Sequence, residues 1–296
     1  MTKRPSSRKK ISKTARRKTA NGPRSRKPTK SRIPSLNLPQ RENLLSEIEY
    51  SNELAEHFDI LYSDSVIAKV QAPFYKMLIN KYNVQSALDL SCRTGQTLKM
   101  LSKLGIKKLA GVDASIPMIA RAKKKLPRGT SLTVEELALA PFTQESKTFD
   151  LIICTKDSLP LVLDDGSLTA FFGEVYNLLN PNGVFLIETL NYEKIWRNKE
   201  RFMPIMDRSR QKPSQLFYFL NDFHQELIVR NLVRVVKRDS EWILRALSIP
   251  ARPTTRNEVE YFVQEAKFSK WGYLGSYSGA PFTPGESPYC ITIALK

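Results

Sequence analysis

Ala87-Leu88-Asp89-Leu90-Ser91-Cys92-Arg93-Thr94-Gly95-Gln96-Thr97 reads as a buried strand, a tight loop and the start of a helix. Leu88 and Leu90 belong to a short apolar strand, and Ser91 to Gly95 form the turn. Thr94 or Gly95 then opens an amphipathic helix with Leu98, Leu101 and Leu104 on one face. At the carboxyl end of a central parallel strand, such a loop is where open α/β sheets bind nucleotide-like ligands. The helix behind it offers free backbone N–H groups. Asp113 follows Asp89 by 24 residues and closes a second apolar strand, Leu109-Ala110-Gly111-Val112-Asp113. An acid there is placed to hold a ribose diol, because a carboxylate accepts from both hydroxyls.

The run Ala87 to Gln96 with Asp113 resembles motif I, and the acid that follows it, of class I S-adenosylmethionine-dependent methyltransferases. That family shows an acid and then three alternating glycines. Here Ser91 and Arg93 stand at the first two positions and only Gly95 remains. Serine is a mild departure. Arginine puts a long cation where the backbone approaches the ligand closely, so its side chain either turns outward or alters the pocket. The resemblance implies S-adenosyl-L-methionine as cofactor, with contacts from Asp89, Ser91, Arg93, Gly95, Asp113 and Ala114.

Further motifs follow in the family's order. Ala55 to Tyr62 resembles the segment that packs over the cofactor in small-molecule methyltransferases, with Tyr62 at the site, although Phe58 and Tyr62 also read as core. Glu136 and Leu137 align with the acid and apolar residue that flank the adenine. Phe149-Asp150-Leu151 opens the fourth strand. Its exit loop, Thr155-Lys156-Asp157-Ser158, faces cofactor and acceptor in the family, which implies a cofactor contact for Thr155 and a substrate contact for Ser158. Leu179-Asn180-Pro181-Asn182-Gly183 matches the turn before the fifth strand. The set covers residues 55–190. Enzymes that methylate base amino groups of DNA usually carry Asn/Asp-Pro-Pro-aromatic at the exit loop, which is missing, and Cys154 has no adjacent proline as in the cytosine-C5 type.

The surrounding pattern supports an α/β class: a Rossmann-like seven-stranded, mostly parallel sheet flanked by helices. Helices are expected over 41–62, 66–82, 95–104, 115–126 and 167–179. Strands are expected at 86–90, 108–113, 131–135, 149–154 and 183–190. Residues 214–249 alternate around Val, Ile and Leu and read as two or three antiparallel strands, a lid inserted after the fifth strand. Thr254 or Thr255 caps a helix, with Glu258 completing a capping box. Strands near 267–276 and 288–295 close the sheet.

The 296 residues carry a net charge of +18, unevenly placed. Residues 1–40 hold 14 Lys/Arg and no Asp or Glu, which leaves 33 basic against 29 acidic residues in the rest. The first segment has too little apolar surface to offset chain entropy, so a disordered tail is expected there, with the folded domain over 41–296. It lacks the apolar core of a secretory signal. It reads either as a sequence-independent contact for nucleic acid or another anionic surface, or as a solubilising tail. No apolar run reaches the ~18 residues of a membrane span. Three unclustered cysteines and two histidines point to no disulfide framework, no metal site and a reducing, cytoplasmic compartment.

Methyl transfer from a sulfonium is an in-line displacement, so the protein mainly positions acceptor and methyl group. An amine acceptor must lose a proton, and His224, Asp157 or a tyrosine could take it. His224 also reads as an ordinary structural residue. Arg252 has the fork to hold an acceptor carboxylate, or a surface role. The leading expectation is a methyltransferase acting on N or O of a small molecule. The alternatives are a nucleic-acid- or ribosome-associated methyltransferase targeted by the tail, and a non-catalytic binding module.

Overall fold

Residues 44–136, 147–210 and 213–296 are described by a computed structural model of the chain. The basic segment and Leu137 lie outside the described residues, and with them the expected tail contact.

Ser46 starts helix α1 (Glu47–Ala55) by a reciprocal capping box with Glu49. The expected single helix over 41–62 is interrupted, and a short α2 (Phe58–Leu61) follows. Helix α3 (Asp64–Tyr82) ends on Asn83 in the left-handed conformation. Strand and helix then alternate: β1 (Ser86–Leu90), α4 (Gln96–Lys103), β2 (Lys108–Asp113), α5 (Ile116–Lys125), β3 (Ser131–Val134) and β4 (Phe149–Cys154). A 3-10 turn (Leu159–Leu161), α6 (Asp165–Leu178), β5 (Leu179–Leu190) and α7 (Tyr192–Asn198) lead to β6 (Met206–Arg208), β7 (Gln215–Phe223), β8 (Ile228–Arg238) and β9 (Glu241–Ala251). The chain closes with α8 (Arg256–Glu265), β10 (Lys270–Leu274) and β11 (Tyr289–Leu295). Thr255 and Glu258 form the capping box of α8.

The main sheet has seven strands in the order β10-β11-β5-β4-β1-β2-β3. Strands β1 to β5 pair in parallel, and β11 and β10 add antiparallel. Both faces are covered, so each central strand sends alternate residues into different cores. Ile152 joins Phe171, Phe172, Phe185 and Phe262 on one side. Its neighbours Leu151 and Ile153 join Tyr75, Leu98 and Leu186 on the other. Burial on both faces explains why these strands read as continuous apolar runs.

The insertion is a separate antiparallel sheet of four strands, β6-β7-β8-β9, wider than the two or three expected over 214–249. One face packs on α1 and α2: Phe217, Leu232 and Ile249 meet Tyr50, Leu54, Phe58 and Leu61. Leu45 ties the start of this region to the insertion by donating its N–H to the Ser248 carbonyl, 2.9 Å. None of the helices among the described residues is long and apolar enough to cross a membrane.

Candidate functional site

The loop after β1 lies at the carboxyl end of the parallel strands and is pinned to β2. Ser91 and Cys92 both donate backbone N–H groups to the Val112 carbonyl, at 2.9 and 2.8 Å. Ser91, Arg93 and Gly95 have φ values of 112°, 53° and 79°. The first two thus keep a backbone that suits glycine although they carry side chains, which stores strain in the loop. Gly95 cannot be replaced so: a Cβ there would lie 2.9 Å from Leu126 Cδ1 at a left-handed φ. Gly111 lets β2 approach the loop, since its Cβ would meet Leu98 at 2.8 Å and Cys92 at 2.9 Å.

Asp113 faces this loop. Its Oδ2 accepts the Arg93 N–H at 2.9 Å and its Oδ1 the Ser115 N–H at 3.0 Å. Each oxygen keeps a second lone pair for another donor. Ser115 caps α5 and donates its hydroxyl to Asn52 of α1 at 2.8 Å, so α1 covers the Asp113 corner.

Asp89 is buried, and among the described residues neither carboxylate oxygen has a hydrogen-bond partner. Burial pushes its carboxyl up to about 6; Asp113 adds to this and Lys156 opposes it. A buried carboxylate without partners is a place prepared for a cationic donor. It also carries a pH signature. The unfolded carboxyl titrates near its ordinary value, so the folded state binds the proton more tightly and loses stability as pH rises through about 6. Asp89→Asn removes this slope. Its stability relative to wild type is expected to improve by about 1–3 kcal/mol between pH 4 and pH 8. Urea denaturation at both pH values checks this, and a difference independent of pH contradicts it.

Arg93 turns inward, not to solvent. It is 4% exposed and donates to Ser51 Oγ at 2.9 Å and Ser158 Oγ at 3.1 Å. Ser158 in turn donates to the Thr155 carbonyl at 2.8 Å and lies 2.9 Å from Ser91 Oγ. Lys156, at φ 56°, reaches Thr97 Oγ1 at 3.0 Å. The cavity left around Arg93 holds only about 20 Å³, between Tyr50, Tyr62, Asp157, Phe219 and Arg230. Ligand pockets usually span roughly 300–1,000 Å³. The polar groups suit a nucleoside with a cationic amine, and the Arg93 side chain occupies space beside them. Arg93→Gly, which removes the side chain and suits the φ of 53°, is expected to tighten binding of S-adenosylmethionine at least tenfold. Calorimetry on wild type and variant reads this; weaker binding in the variant would make Arg93 a ligand-holding residue instead.

The structure brings together Asp89, Ser91, Arg93, Gly95, Asp113, Ala114, Thr155 and Ser158 as buried residues around this loop, with Tyr62 on the cavity wall. Glu136 follows β3 next to Glu135, whose N–H bonds the Asp113 carbonyl at 3.1 Å. Three further expected residues have partners within the fold. Asp157 offers no free carboxylate: it is paired with Arg230 at 2.6 Å and accepts from Tyr192 Oη at 2.7 Å and Leu190 N–H at 2.9 Å. Arg252 bonds Asp165 at 2.6 Å and Glu258 at 2.8 Å, joining the start of α6 to α8. His224 sits in the β7–β8 turn with its backbone N–H donating to the Leu227 carbonyl at 2.9 Å, and it does not line this cavity.

Sequence reasoning missed Arg230, Tyr192, Tyr50 and Ser51. Arg230 had a signal: it shares the inward parity of Leu232 on β8, and a cation there needs a buried partner.

The strand order and the loop define a Rossmann-like α/β domain, the fold also found in solved S-adenosylmethionine-dependent methyltransferases. Residues 87–183 match the family described as methyltransferase domain. A glycine/sarcosine N-methyltransferase of Parasynechococcus marenigrum (strain WH8102) is 24% identical over 149 residues, 50% of this chain and 52% of that protein. The chain spans about half the length of the curated relatives it matches. Among solved structures, an S-adenosylmethionine-dependent methyltransferase from Clostridium acetobutylicum ATCC 824 superposes with a TM-score of 0.66 at 20% identity, covering 82% of this chain and 98% of that one. The sugar N-methyltransferase KedS8 from Streptoalloteichus sp. ATCC 53650 gives 0.64 at 14% identity, covering 81% and 92%.

Proposed function

We propose that the chain transfers a methyl group from S-adenosylmethionine to a nitrogen or oxygen of a small-molecule acceptor. The observation that carries this reading is the partnerless, buried Asp89 carboxylate beside the Asp113 corner. In this reading Asp113 takes the ribose hydroxyls, Asp89 the ammonium of the methionine end, and Glu136 the adenine amine. The cofactor supplies the activated methyl group and its own leaving group.

The protein's work is then positioning and exclusion of water. Tyr50, Tyr62, Phe219 and Arg230 line the small cavity and wall the acceptor side. Burial holds the Tyr50 and Tyr62 hydroxyls protonated, so they donate hydrogen bonds and do not act as bases. With Asp157 fully engaged, an amine acceptor enters already neutral. The N-methyltransferase named among the relatives supports an amine over a hydroxyl.

The test is turnover. The full chain is incubated with S-adenosylmethionine and a panel of small amines, and S-adenosylhomocysteine and the methylated amine are measured by mass spectrometry. The reading expects one demethylated cofactor per methylated acceptor. Cofactor binding without turnover on any acceptor would favour the second reading, a binding module, for which the inward Arg93 is the supporting observation.

A further inference from the structure

The face of the insertion that carries Arg230 continues, along β8, through Leu232 to Arg234 and Arg238. There it bounds a second cavity of about 650 Å³, within the size range of small-ligand pockets. Leu54 lines both this cavity and the one at Arg93, so it forms the wall between them. The cavity is two-natured. Phe217, Leu232 and Leu247 give it an apolar floor, and Arg234, Arg238 and Arg245 gather at its mouth.

The arginines are arranged against the interest of the fold alone. Arg234 and Arg245 are direct cross-strand partners, and like charges so placed weaken a sheet. Arg234 is steadied by a neutral group, donating to Gln215 Oε1 at 2.9 Å. Among the described residues none of the three arginines forms an ion pair. Glu53 and Glu56 also line the cavity, so its charged lining sets three arginines against two glutamates. His57 is driven toward its neutral form, first by burial and then by Arg234.

We propose that this cavity is a binding site for a small amphiphilic anion: an aromatic or other apolar body on the floor, with a phosphate or similar anionic head held by Arg234 and Arg245. Guanidinium forks grip a tetrahedral oxyanion by paired hydrogen bonds, and the bound anion relieves the repulsion between them. The site is independent of methyl transfer.

The test is calorimetry on the full chain with 1-naphthyl phosphate, alongside inorganic phosphate and 1-naphthol as its two halves. The expected result is one site with submillimolar Kd for the whole molecule and at least tenfold weaker binding of each half. Arg234→Gln with Arg245→Gln is expected to weaken naphthyl phosphate at least tenfold without lowering the melting temperature, since it removes a repulsive pair. Leu247→Trp, which fills the floor and keeps every charge, is expected to abolish the same binding. Undiminished binding in the double arginine variant would place the anion elsewhere, for instance on the basic segment, and overturn the proposal. So would the absence of saturable binding in wild type, or inorganic phosphate binding as tightly as the whole molecule.

Discussion

Asp157→Ala is expected to destabilise the fold by about 3–5 kcal/mol, the usual cost of stripping the partner from a buried ion. The Arg230 and Asp157 side chains are 12% and 7% exposed, at 2.6 Å. Removing the carboxylate leaves the guanidinium uncompensated, beside Phe219 at 5.5 Å, and also orphans the Tyr192 hydroxyl and the Leu190 N–H. The pair links the exit loop of β4 to the inserted sheet, so its loss removes one of the ties between them. Urea denaturation of Asp157→Ala, Arg230→Met and the double variant measures the coupling. The double variant is expected to recover most of the loss, because no unpaired charge remains. A cost under about 1 kcal/mol for the single alanine variant would mean that the pair is open to water, and would return Asp157 to the list of candidate bases.

The second large effect is on cofactor binding. Asp113→Ala is expected to weaken S-adenosylmethionine by about 100-fold or more, since two charge-assisted hydrogen bonds at about 1.5–3 kcal/mol each are lost. The Arg93 and Ser115 N–H groups lose their acceptor as well, so the loop also relaxes. Asp113→Glu separates the two causes. It keeps the charge and is expected to recover part of the affinity, whereas a purely structural loss would follow loop order, read by circular dichroism, and not the charge.

Much of the fold was legible because its causes are local. Period, apolar runs and turn residues placed β1, β2, β4 and their helices close to where they lie, and Thr255 with Glu258 announced the cap of α8. The cofactor loop was legible from spacing, since Asp89, Gly95 and Asp113 need only a strand, a turn and the next strand to meet. The rest depended on contacts between distant segments. Whether Arg93 points in or out is decided by Ser51, 42 residues before it, and Ser158, 65 residues after it. Asp157 read as a base because its loop faces the acceptor; its partner Arg230 comes from the insertion, whose register no local rule supplies. Arg252 was drawn away by Asp165, 87 residues earlier in the chain.

The loop after β1 is expected to hold S-adenosylmethionine once Arg93 moves aside. Titration of the full chain with S-adenosylmethionine and with S-adenosylhomocysteine tests it. Saturable one-to-one binding of both is expected, tightened in Arg93→Gly and weakened about 100-fold or more in Asp113→Ala. No binding of either at millimolar concentration, in wild type and in Arg93→Gly alike, would contradict it and leave a methyltransferase fold without its cofactor.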